Sequence, residues 1–179
     1  MKHIANVALM LNLGIAGIYA QQRPVKMTIS GTAAPSTIVL QQGAAGTGEY
    51  HFDGNGTLGP FTFRAFTASA PSQQPIGSTC AIYGSVVAGA GVFRLQDGSL
   101  LMVNSAQGTD CIQFTATGPV AHCVRIFKIA GGTGRFQNVS PSGSITLNEA
   151  LVPVLSDDSG NPVFFAVTGT GTVSGVAIE

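Results

Sequence analysis

The chain has 179 residues, eight Lys or Arg against eight Asp or Glu, and 45% hydrophobic residues. Such sparse, balanced charge leaves no electrostatic footprint for nucleic acid or for an anionic membrane surface, and it is unlike the charge-rich, apolar-poor composition of a disordered chain. The length suits one domain with a substantial core.

At the N-terminus, Lys2 precedes an apolar stretch over residues 4–18, and Ile18, Tyr19 and Ala20 offer a cleavage site ending on a small residue. Polar Gln21, Gln22 and Arg23 follow at once, so the stretch is short for a membrane span. The sequence therefore predicts a signal peptide over residues 1–20 and a domain over 21–179. That domain is expected to be exported, periplasmic or extracellular, with no membrane span once the signal is removed.

Beyond residue 25 no long helical periodicity is present; short runs rich in Val, Ile, Thr and Phe alternate with Gly, Pro, Asn, Asp and Ser. Residues 25–31 read as a first strand, and 32–48 as a short strand or irregular cover. Residues 49–52 turn through Asp53, Gly54, Asn55 and Gly56 into a strand over 58–67. After a proline-bounded loop, residues 76–87 read as a strand ended by Ala88, Gly89, Ala90 and Gly91. Residues 92–96 and 99–103 around Asp97 and Gly98 form the cleanest hairpin. Runs over 111–117 and 120–129, then 143–155 and 163–176, complete the pattern. Many short strands at this spacing indicate an antiparallel barrel or sandwich, and closure into a barrel removes the edges that so apolar a sheet would expose. The expected fold is all-β, a single closed antiparallel barrel of about eight strands.

Three cysteines, Cys80, Cys111 and Cys123, leave one thiol over if an exported chain forms a disulfide. A hairpin turning at residue 117 sets Cys111 opposite Cys123, and this is the expected pair; the alternative is three reduced, buried cysteines.

Few residues carry recognisable chemistry. A calcium loop beginning at Asp53 fails because Arg64 stands at its twelfth position; Asp157, Asp158 and Asn161 are better read as turn formers. His122 and Cys123, adjacent on one strand, point to opposite faces and make a poor metal pair. There is no Gly-x-Ser-x-Gly elbow. No metal or cofactor is expected. Tyr50, Arg64, Tyr83 and Arg94 are polar or charged members of apolar strands, and they stand as the candidate cavity groups.

Between the strands ending at 129 and starting at 143 lie Gly131, Gly132, Thr133, Gly134, Arg135 and Phe136. No Walker lysine follows, and Gln137 stands where a dinucleotide fingerprint needs glycine, so the segment reads as a tight turn with Phe136 plugging the core. It resembles the Gly-Gly-(Thr/Ser)-Gly-x-Phe turn of the allene oxide cyclase and dirigent protein barrels, and that of small exported bacterial proteins of unknown role. The resemblance implies an eight-stranded barrel, often trimeric, with an apolar cavity. It transfers no catalytic residue, and the longer segment after Phe136, containing Pro141, departs from those families. The expected function is binding of an apolar small molecule without catalysis, or a structural envelope role; the alternative is a cavity isomerase or cyclase.

Overall fold

The computed structural model describes residues 25–71 and 79–176. Eight strands follow in order: β1 (Val25–Ser36), β2 (Gly46–Gly56), β3 (Phe61–Ser69), β4 (Ile82–Leu95), β5 (Leu100–Thr115), β6 (Gly118–Gly132), β7 (Ser144–Ser156) and β8 (Pro162–Ser174). Each pairs antiparallel with the next, and β8 returns to β1, so the sheet closes into a barrel. The expected signal segment, residues 1–20, lies outside the described residues.

Alternation with period two decides which side chains go inside. Met27 and Ile29, Phe61 and Phe63, Phe127 and Ile129, and Ile145 and Leu147 all face inward and are buried. Phe63 is the hub: it stacks on Phe93 with ring centroids 4.0 Å apart and meets Phe127 edge-on at 5.5 Å. Outward positions carry Thr28, Ser30, Asn148, Thr168, Thr170 and Thr172, all exposed. Among the described residues no helix is long and apolar enough to cross a membrane.

Three connections, β2–β3, β4–β5 and β6–β7, gather at one end, here the lower end. A 3-10 turn (Gly134–Phe136) buries Phe136 there as a plug. Arg135 ties the neighbouring connections together, donating to the Leu58 carbonyl and pairing with Asp97 at 3.5 Å. The backbone N–H of Arg135 donates to Ser99 Oγ at 3.2 Å.

Three segments outside the expected strands are continuous strand. The expected turn at Asp53, Gly54, Asn55 and Gly56 is the end of β2, and the chain reverses over residues 57–60 instead. The small residues 88–91 lie inside β4, where a side chain on Gly91 would fall 2.6 Å from the Phe63 ring. Polar residues 104–110 lie inside β5, whose register shifts at Ser105/Gln107 accommodate an extra residue.

The expected Cys111–Cys123 disulfide is corrected. Cys111 bonds Cys80, with Cα atoms 5.2 Å apart, and Cys123 is a buried free thiol. The β5–β6 hairpin pairs Thr115 with Gly118, so it turns between residues 116 and 117 and every pairing shifts by one: Cys111 faces His122 and Cys123 faces Asp110. A one-residue slip reverses every side chain, leaving Cys111 and Cys123 on opposite faces of the sheet.

Candidate functional site

Above the phenylalanine layer the barrel interior changes character. Arg125 on β6 alternates with Phe127 and Cys123 and so must point inward; it is only 2% exposed. Glu149, in step with Leu147 and Leu151 on β7, is likewise buried. Asp110 on β5 stands opposite Cys123, and Tyr50 on β2 alternates with Phe52. Four strands therefore deliver one cation, two carboxyls and a phenol to one place.

The guanidinium sits at the centre. Arg125 Nη2 donates to Tyr50 Oη at 2.6 Å and lies 3.0 Å from Asp110 Oδ1, while Nε lies 3.3 Å from Glu149 Oε2. The two carboxylate approaches are close in distance but lack hydrogen-bond alignment. Among the described residues, Arg125 Nε and Nη1, Asp110 Oδ1 and both oxygens of Glu149 are buried without a hydrogen-bond partner. Buried polar groups are ordinarily satisfied, so this concentration of buried polar atoms without an aligned partner sets the cluster apart from the rest of the interior. Asp110 is the most exposed of the four: its side chain is 22% exposed, and its Oδ2 accepts from Ser69 Oγ at 3.2 Å.

Electrostatics sharpen the roles. Burial raises the Glu149 carboxyl to about 7, Arg125 pulling it back down and Asp110 adding to the rise. Burial also lifts Tyr50 to about 12, so its phenol stays protonated. Burial works against the charge of Arg125, but Tyr50, Glu149 and Asp110 outweigh it and hold the guanidinium protonated. The Cys123 thiol is pushed up by burial and is a poor nucleophile.

Of the four residues singled out from sequence, the cluster contains Tyr50 alone. Arg64 alternates with Phe63 and Ala65, and Arg94 with Phe93 and Leu95, so both project outward and are exposed. Tyr83 is turned outward by the irregularity in β4, where Ala68 pairs with Ala88 but Ser69 with Val86. The signal that locates Arg125 and Glu149 is strand parity: each is a charge on the apolar side of its strand. Asp110 carried no such signal, because it falls between the apolar runs over 99–103 and 111–117.

Elsewhere, polar groups are engaged locally. His51 and Glu49 pair at 2.7 Å on the outer face, and Asp157 accepts from Ser159 and Asn161 within its own turn. Among the described residues no group of three or more His, Cys, Asp or Glu is arranged to hold a metal ion. No protein-family model, curated protein or solved structure matches the chain.

Proposed function

We propose that this barrel is an exported protein that binds a small, largely apolar molecule at its upper mouth, with a polar head on the Arg125 cluster. The orphaned atoms of Arg125 and Glu149 carry this reading, since burying them unpartnered is costly and a ligand head relieves that cost. The apolar part of the ligand has a surface to lie on. Val39, Ile82, Phe114, Val154, Leu155 and Phe164 are exposed at the same end of the barrel, on its loops and strand ends. Export is supported by the Cys80–Cys111 disulfide, a bond that persists in oxidising compartments.

One observation favours a second reading, an acid–base isomerase or cyclase. A carboxyl near 7 exchanges its proton readily at neutral pH, and Arg125 and Tyr50 stand beside it to stabilise developing negative charge. The common test is native mass spectrometry of protein purified under mild conditions, compared with Arg125→Met. A retained lipophile that the variant loses supports the site; retention by both places the ligand elsewhere and rejects it. A ligand recovered chemically changed after incubation with wild type, but unchanged with Glu149→Gln, selects the enzyme reading.

A further inference from the structure

The cluster carries enough chemistry to restrict the head group of that ligand. Resting on the binding reading above, we infer that the site selects an uncharged head that both donates and accepts hydrogen bonds, such as a hydroxyl or primary amide, and rejects carboxylates.

The first argument is charge. Asp110 and Glu149 flank one guanidinium, and Tyr50 brings no positive charge. A ligand carboxylate would add a further anion beside groups that water hardly reaches, where like charges repel far more strongly than in solution. An ammonium head offsets that surplus negative charge, but it can only donate, and Arg125, fixed within the cluster by three neighbours, stands beside it as a like charge.

The second argument is the inventory of orphaned atoms. Nη1 of Arg125 has no acceptor and Oε1 of Glu149 no donor, while Nε and Oε2, 3.3 Å apart, face each other without hydrogen-bond alignment. A hydroxyl or amide meets both needs in one group. With Glu149 ionised, a carboxylate only accepts and an ammonium only donates, so either leaves half of the cluster unsatisfied. A site built from buried polar groups discriminates sharply against heads that fail to pair with them.

The third argument is the path. Asp110 is the most accessible member of the cluster, so an entering head passes a carboxylate before it reaches the guanidinium. An anion is opposed on the way in as well as in place.

Equilibrium dialysis of the full chain with 1-decanol, decanamide, decanoate and decylammonium tests this, because the four share one tail. Decanol and decanamide are expected to bind at least tenfold more tightly than either ion. Glu149→Gln, which keeps the shape of the side chain and removes its charge, is expected to narrow the gap between decanol and decanoate at least threefold. Decanoate binding as tightly as decanol to wild type overturns the selectivity while leaving the site in place. A preference for decanol that Glu149→Gln does not alter, or no binding of any probe, rejects the Arg125 cluster as the head site, and the binding reading fails with it.

Discussion

Arg125 and Tyr50 lie 75 residues apart in the chain, yet Arg125 Nη2 donates to Tyr50 Oη at 2.6 Å, and the guanidinium carbon stands 4.8 Å from the centre of the tyrosine ring. The cation is thus held by a hydrogen bond to the phenol oxygen and lies within cation–π range of the same ring. Neither contact satisfies Nη1 or Nε. The tyrosine fixes the guanidinium in position while leaving it donors to offer.

Truncating Arg125 leaves Glu149 and Asp110 facing each other without the cation that makes their shared burial tolerable. Arg125→Met is expected to lose about 3–5 kcal/mol of stability, the range for breaking one side of a buried ion pair. Adding Glu149→Gln to it should restore part of that loss. Urea denaturation of the two single variants and the double variant measures the coupling; purely additive losses would show that the charges do not interact.

The barrel was legible because its alternation was locally consistent and its clearest turn held: Asp97 and Gly98 do join β4 to β5, with Gly98 at a φ of 84°, whereas the turn expected at 53–56 falls four residues later. The site was not legible in the same way. Charged residues in apolar strands were the right kind of signal, but parity decides their face, and parity puts Arg64 and Arg94 outside and Arg125 and Glu149 inside. Register is the weak point of such a reading. Bulges reset it in β4 and β5, which turned Tyr83 outward and hid Asp110, and an error of one residue at the β5–β6 turn produced the wrong disulfide.

Stability should depend on pH through Glu149. Its carboxyl sits near 7 when folded against an ordinary value of 4.5, so the folded state binds the proton more tightly. The contribution of the protonated form is intact below about 4.5 and is lost as pH rises through about 7, with a scale of about 1.4 kcal/mol per pKa unit. The expected outcome is a melting temperature that falls between pH 5 and 8 in wild type, compared with a shallower dependence in Glu149→Gln. The difference between the two proteins isolates this group from Asp110, Arg125, Tyr50 and Cys123 around it. Parallel curves would remove Glu149 as the source.

The cysteines give a mass-spectrometric check on the corrected pairing. Unfolded without reductant, the chain should take up one alkyl group, at Cys123, and reduction should expose Cys80 and Cys111 as well. The folded protein should resist labelling, because burial raises the Cys123 thiol and hides it. Replacing Cys80 and Cys111 by serine opens a loop closed across 31 residues, and about 3–4 kcal/mol should be lost by the loop-entropy estimate. Alkylation at Cys80 in the unreduced chain would contradict the bond.

The lower end should be as sensitive as the upper, for a different reason. Gly134 has a φ of 59°, a left-handed conformation, and a Cβ there would fall 2.4 Å from Ser99 Oγ. Gly134→Ala therefore combines backbone strain with a clash against the hydroxyl that receives the Arg135 N–H. A loss of about 1–3 kcal/mol is expected. Phe136→Ala, which empties the plug, should cost about 3–5 kcal/mol. The two act on one turn, so their effects should not add: once the plug is gone, the turn can relax around the new methyl. Chemical denaturation of both single variants and the double variant decides this. A double variant equal to the sum would mean that the turn's conformation and the seating of Phe136 are independent, and that Gly134 serves only the local backbone.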